Sequence, residues 1–505
     1  MGKENPPFYR AIPVYVLLLP VFFVIHGYNE NYGLIAWPDL LLLLGSYCLV
    51  AALLTGLLFL VYRNLSKAAL LAALLLGIYF FFGAIHDFLK MHSSLWHRYS
   101  VLLPLLALLT ALTGIWLKKT RLPLLRVNLF FNGLLLLYIL ADTAGIAWKA
   151  VHPVQNNLSV TASAYGPGIQ PCDTCASPDI YFLVFDEYCS TVNLAETFQY
   201  NNTALDSFLL KQGFFIQAHS FSNYNFTPFS IASILNMNYI NGISRADSIT
   251  VDDYTNCEKL IKNSRVAAFL GTRNYEVVNY SIFDLAGSPS PVEVSLLPVK
   301  TKLITEQTLF RRLWRDIGWN FIMGRFHADW ITKGMIYNNL ELNKKAVKQV
   351  KDQTLAAHTR PRFVYAHFEM PHWPFYYDKD SRLRNQELLI AEMEGAPVAG
   401  YTNYLPYTNA RLEEMVTAIQ KNTKRAAAII IMGDHGFRVN INGVSTRHFF
   451  QNLNAVYFPR SNYSQLKDTV SGVNQFRLVF NSLFNQSLPL LKDSAVFLRD
   501  YHPRR

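Results

Sequence analysis

Asp434-His435-Gly436 follows directly on the apolar run Ala426 to Met432, so a carboxylate and an imidazole emerge together where a buried strand is expected to end. Such a pair offers a divalent cation one hard oxygen and one ring nitrogen. Two more apolar runs end in the same way: Ile180 to Phe185 leads into Asp186-Glu187, and Phe363 to Phe368 carries His367 and leads into Glu369 and His372. Singly, each pair reads as a helix cap beside a surface histidine. Three coincident pairs point to one site at one edge of a sheet.

The elements that must position these residues follow from the same runs. Continuous rather than alternating apolar segments are the mark of parallel strands buried on both faces. Open parallel sheets hold their ligands outside the carboxyl ends of the strands. Strands are expected at Ile180 to Phe185, Tyr275 to Tyr280, Phe363 to Phe368, Ala427 to Met432 and Ala455 to Phe458. Helical patterns lie between them at Leu205 to Lys211, Lys259 to Leu270, Leu340 to Gln353, Leu412 to Ile419 and Phe476 to Phe484. This alternation predicts βαβ units and an α/β domain from about 178 to the C-terminus.

A further chemical group lies in Ser222-Asn-Tyr-Asn-Phe-Thr227-Pro228, ahead of the apolar residues Phe229, Ile231, Ala232, Ile234 and Leu235. Thr is a favoured N-cap and Pro a favoured first helical residue. With Thr227 as the cap, its hydroxyl sits at the positive end of a helix dipole, beside N–H groups able to hold a phosphate or sulfate. Most Thr-Pro helix starts only cap. In company with Asp186, Asp434 and His435, however, Thr227 completes an oxygen-rich set with one imidazole, suited to Zn²⁺ or Mn²⁺, in which the hydroxyl is a candidate nucleophile.

Before residue 150 the chain is of another kind. Of its 505 residues 51% are hydrophobic and 16% charged, and the apolar excess is gathered in five segments: about Ile12 to Tyr28, Pro38 to Tyr62, Ala68 to Leu89, Val101 to Leu117 and Leu124 to Trp148. Each approaches or exceeds what a hydrocarbon core of roughly 30 Å requires. No small-residue cleavage site follows the first, so a multi-span anchor over 1–150 is expected rather than a signal peptide. Lys3 and Arg10, Arg63 and Lys67, and Lys118, Lys119, Arg121 and Arg126 mark the cytoplasmic side. Five spans then deliver everything beyond a polar linker at 151–177 to the outer face of the membrane. His86, Asp87, His92 and His97 read as solvated residues of an outer loop.

The formal net charge of +11 suggests nucleic acid, but much of it lies in cytoplasmic loops. Arg311, Arg312 and Arg315, and Lys344, Lys345, Lys348 and Lys351, read as helix faces, either solvated or turned to an anionic membrane surface. No nucleic-acid partner is expected. Cys172-Asp-Thr-Cys175 lacks a second pair of ligands at zinc spacing, leaving a small-loop disulfide or two free thiols.

The order Asp186, Thr227 heading a helix, His372 within Pro371-His372-Trp-Pro374, then Asp434-His435-Gly436 resembles the alkaline phosphatase and sulfatase superfamily. Within it, the membrane-anchored branch of lipoteichoic acid synthases and lipid A phosphoethanolamine transferases is the most similar, with five spans and an extracytoplasmic α/β/α catalytic domain, here 178–505. The resemblance implies a transferase moving a phosphoethanolamine- or phosphoglycerol-type headgroup from a phospholipid to an envelope glycan or lipid. It implies Asp186, Thr227, Asp434 and His435 as metal ligands, with Thr227 the nucleophile that becomes phosphothreonine. His372 matches a substrate-side position that binds the phosphate or a second metal, and His448, in Thr446-Arg447-His448, a late histidine ligand; as catalytic residues, either His372 or His448 could protonate the leaving oxygen. Glu187 stands open as ligand or neighbour. The Cys-x-Pro-x-Arg motif of formylglycine sulfatases is missing around Cys189, which disfavours sulfate ester hydrolysis. The alternatives are a phosphodiesterase, phosphatase or sulfatase-like hydrolase of the same superfamily, or a non-catalytic membrane binding protein.

Overall fold

The computed structural model describes residues 12–33, 35–152, 175, 177–243, 249, 251–291, 301–318, 336–392, 397–441, 444–460 and 462–499. The linker expected at 151–177 lies almost wholly outside these residues, as do Lys3, Arg10 and Cys172. The chain divides into two units, Met1–Val154 with Ser295–Ala328, and Gln155–Val294 with Asp329–Arg505.

In the first unit each of the five apolar segments is a helix: α1 (Tyr15–Glu30), α2 (Trp37–Tyr62), α3 (Leu65–His92), α4 (Tyr99–Lys119) and α5 (Leu125–Val151). The last four are long and apolar enough to cross a membrane, whereas α1 has 16 residues. Leu41, Leu42, Leu53, Leu57 and Leu60 of α2 point outward, which only a hydrocarbon surround tolerates at this density. The one described carboxylate well inside α5, Asp142, accepts hydrogen bonds from Asn29 Nδ2 at 2.9 Å and faces His26 Nδ1 at 3.1 Å.

Two short helices from mid-sequence, Lys302–Thr305 and Leu309–Ile317, also belong to this unit, which the sequence did not reveal. The Gly83 N–H of α3 donates to the Gln307 carbonyl at 2.8 Å, and a Cβ at Gly83 would itself lie 2.8 Å from that backbone oxygen, so glycine suits this approach. Arg312 is buried and donates to Asp87 Oδ1 at 3.0 Å, and Tyr99 OH donates to Asp316 at 2.5 Å. The expectation of a solvated loop at His86 and Asp87 is therefore corrected: His86 is buried and stacks on Tyr99, and Asp87 is the partner of Arg312. Lys344 and Lys348, by contrast, lie on an exposed face and pair with Glu341 and Asp352.

The second unit is built on a six-stranded sheet in the order β2-β6-β5-β1-β4-β3, comprising β1 (Asp179–Phe185), β2 (Phe215–Ile216), β3 (Glu276–Tyr280), β4 (Arg362–Phe368), β5 (Ala427–Gly433) and β6 (Asn454–Tyr457). The β5-β1-β4-β3 block is parallel; β6 and β2 close one edge antiparallel. All seven residues of β1, β4 and β5 are buried, because helices cover both faces. Tyr181, Leu183 and Phe185 share one core with residues of α7 (Asn338–Leu355) and α8 (Val398–Asn422). On the opposite face, Phe182 meets Phe476 of α9 (Gly472–Phe484) at 5.1 Å between ring centroids. The one helix expected over Lys259 to Leu270 is two, Val251–Lys262 and Arg265–Thr272. The Ser264 hydroxyl accepts from the Ala267 N–H at 3.4 Å and starts the second.

Candidate metal and nucleophile site

The three central strands are in register: Phe185 of β1 lies opposite Gly433 of β5 and Phe368 of β4. The residues that follow them, Asp186, Asp434 and Glu369, therefore leave the sheet side by side at its carboxyl edge. Close approach shapes the Asp-His-Gly turn. Gly436 donates its N–H to Phe449 O at 2.7 Å, and a Cβ there would lie 2.1 Å from the His448 carbonyl.

Helix α6 (Thr227–Asn236) brings in the hydroxyl. The cap position belongs to Phe226, with extended backbone, and Thr227 is the first helical residue. This corrects the expectation that Thr227 caps the helix. Its Oγ1 is accordingly not spent on the helix end and lies 3.2 Å from His435 Nε2. One turn on, Ser230 Oγ donates to the Asp434 carbonyl at 2.5 Å and ties α6 to the end of β5.

His435 Nε2 also lies 3.2 Å from Asp434 Oδ2 and 4.0 Å from Asp186 Oδ1, and its Nδ1 faces the Gly436 carbonyl at 2.9 Å. Thus Asp186, Thr227, Asp434 and His435 converge. A further residue joins them: Asp186, Asp434 and His367 each offer an atom within 4.8 Å of the others. The sequence marks His367 as a residue of an apolar strand and leaves it outside this set; its register opposite Val184, one residue before the end of β1, turns it to the site.

Three of these atoms, Asp186 Oδ1, Asp434 Oδ2 and His367 Nε2, are buried without a hydrogen-bond partner. Orphaned acceptors at such density are costly unless a cation joins them. The other Asp434 oxygen is fully used, accepting the N–H groups of Glu187 at 2.9 Å and His435 at 2.8 Å. Burial, then the neighbouring Asp434 and Glu187, raises Asp186 well above the carboxylate range. Burial lowers His435 to about 3 and His367 to about 4, so both imidazoles are neutral and able to ligate. The donor set of carboxylates, imidazole and hydroxyl fits a divalent cation such as Zn²⁺ or Mn²⁺.

Residues 261–470 match the family model described as Sulfatase. The match takes in His367, His372, Asp434, His435 and His448, while Asp186 and Thr227 precede it. No curated protein matches the sequence. Among solved structures, the chain is similar to the C-terminal periplasmic domain of EcEptC from Escherichia coli, at 8% identity and a TM-score of 0.38, over 67% of this chain and 92% of that one. It is similar to that domain in complex with Zn, at 10% identity and 0.39, over 66% and 90%. It is also similar to the phosphonate monoester hydrolase of Agrobacterium radiobacter, at 13% identity and 0.37, over 61% and 74%.

The remaining candidates divide. His372 is half-buried beside the cluster, and its charge bears on Glu187, Glu369 and His435. His448 does not join the site: its Nδ1 faces Ser445 O at 2.7 Å and its Nε2 faces Val439 O at 2.9 Å, so both ring nitrogens are turned to backbone carbonyls. Glu187 accepts a 2.8 Å hydrogen bond from Arg438 Nε and stands outside the Asp186, His367 and Asp434 group. Burial alone would raise Glu187, but His372 and Arg438 hold it below the carboxylate range. Arg438 was missed in the sequence; its signal was a lone basic residue four places beyond Asp434. Cys189 is buried, its sulfur accepts the Phe437 N–H at 3.1 Å, and burial pushes its thiol up to about 12, which removes it as a nucleophile.

Proposed function

We propose that the protein is a metal-dependent transferase that moves a phosphoryl-alcohol headgroup, of phosphoethanolamine or phosphoglycerol type, from a phospholipid to a hydroxyl of an envelope glycan or lipid through a phosphothreonine at Thr227. The observation that carries this reading is the approach of Thr227 Oγ1 to 3.2 Å from His435 Nε2, beside two orphaned carboxylate oxygens. Asp186, Asp434, His435 and Thr227, with His367, would hold the cation. When bound, the cation lowers the pKa of a hydroxyl and neutralises charge on the phosphoryl oxygens.

Thr227 Oγ forms a bond to phosphorus as the ester bond to the diacylglycerol oxygen breaks. The hydroxyl proton leaves to solvent, and His372 gives a proton to the departing oxygen. An acceptor hydroxyl then attacks the phosphothreonine and gives its proton to His372, restoring it, as the bond from phosphorus to the Thr227 oxygen breaks and that oxygen takes a proton from solvent. The apolar helices supply the reason for a lipid donor: they hold the chain in the membrane, with the catalytic unit on the outer face by the positive-inside pattern.

Incubation of the reconstituted protein with headgroup-labelled phosphatidylethanolamine or phosphatidylglycerol and an envelope lipid extract tests this. The expected result is release of diacylglycerol with label on an acceptor. Label released only as the free phospho-alcohol means that water is the acceptor and the enzyme is a hydrolase. Absence of diacylglycerol with every lipid rejects the reading.

A further inference from the structure

Resting on the reading of Thr227 as the attacking group, the geometry points to Arg438 as the clamp that holds the tetrahedral oxyanion under attack, its two terminal amino groups binding nonbridging oxygens of the phosphoryl group. The side chain is fixed from both sides of the site. Its Nε donates to Glu187 Oε1 at 2.8 Å, and Glu187 is the residue after Asp186. Its guanidinium lies over the ring of Phe226, 4.9 Å from the centroid, and Phe226 is the residue before Thr227. The turn that carries it is fixed as well, since Phe437 stacks on Tyr401 at 4.1 Å with 5° between the rings.

These contacts engage the Nε edge and one face of the guanidinium. Neither terminal nitrogen has a protein partner among the described residues, and the side chain keeps 25% of its surface exposed while Glu187 keeps 6%. An arginine present only to neutralise Glu187 would turn its fork onto both carboxylate oxygens. Here one N–H is given to the carboxylate and the paired donors are left over, in the planar arrangement that fits two oxygens of a phosphate or sulfate. The charge logic agrees. Asp186, Glu187 and Asp434 crowd the site with carboxyl groups, whose charge an incoming anion would meet as repulsion, and a fixed guanidinium beside Glu187 offsets it.

The test uses the full-length protein loaded with Mn²⁺ and inorganic phosphate or vanadate as the probe, with binding followed by titration calorimetry. Wild type is expected to bind, and Arg438→Ala to bind about ten- to a hundredfold more weakly, the loss expected for hydrogen bonds to a charged group. The rise in melting temperature on adding Mn²⁺ should be unchanged. Arg438→Lys keeps the charge without the fork and should fall between them, and added guanidinium should restore phosphate binding to R438A alone. Glu187→Gln should weaken the anion less than R438A. Equal phosphate binding by wild type, R438A and R438K overturns the assignment of Arg438. If R438A loses its cooperative melt, the comparison of wild type with R438K decides, and equal binding by those two overturns it. A wild-type protein that takes up Mn²⁺ but binds neither anion contradicts the underlying phosphoryl-transfer reading instead.

Discussion

At the residue scale the site is a set of acceptors waiting for positive charge. Asp186 and Asp434 each carry a buried oxygen with no partner, so the metal-free cluster is held together against its own repulsion. Mn²⁺ or Zn²⁺ should therefore raise the thermal midpoint of the wild type, and a chelator should reverse the rise. In Asp186→Asn the metal-free protein should melt higher than metal-free wild type, because a buried carboxyl crowded by Asp434 and Glu187 gives way to a neutral amide, while the metal-induced rise should vanish; differential scanning fluorimetry reads both. Thr227→Ala should lower turnover by about a thousandfold or more, as loss of a nucleophile does, with metal uptake retained. Asp186, Asp434 and His435 were legible in the sequence because each stands where an uninterrupted apolar run stops. His367 was visible but not assignable, since its direction depends on the register with β1. Arg438 was hidden, because what gives it meaning is a carboxylate 251 residues away.

At the element scale the strands were readable and the breaks between elements were not. Continuous Val, Ile and Phe runs announce strands covered on both faces, but β2 has two residues and no pattern. The halves of the helical region at 251–272 share one periodicity, and only the Ser264 hydroxyl marks the break. Two stability predictions belong here. Gly436→Ala puts a methyl 2.1 Å from a carbonyl that cannot swing aside and should cost about 2 kcal/mol or more, read by denaturant unfolding. In helix Val251–Lys262, burial and then Asp284 raise Glu258 from 4.5 to about 8. Between those values the folded protein holds a proton that the unfolded chain has released, so stability falls as pH rises across that window. Glu258→Gln should flatten this part of the melting-temperature profile, and an unchanged slope would contradict the assignment.

At the scale of the whole molecule, the apolar first third and the α/β remainder were plain from composition and run length. The allocation of 295–328 to the bundle unit was not, because a stretch with Arg311, Arg312 and Arg315 reads alike as a solvated face or a packed one. The structure decides by burying Arg312 against Asp87. Asp87→Ala leaves that guanidinium without its carboxylate and should destabilise the bundle unit by about 2 kcal/mol. A thermal midpoint in detergent equal to that of wild type would count against the pairing.

The central claim is that Thr227 takes the phosphoryl group. Peptide mass spectrometry of the metal-loaded protein, quenched during incubation with phosphatidylethanolamine or phosphatidylglycerol vesicles, tests it most directly. The peptide bearing Thr227 should gain the mass of the phospho-headgroup, and the gain should be absent from Thr227→Ala. An adduct on another residue, or full turnover by Thr227→Ala, would contradict it.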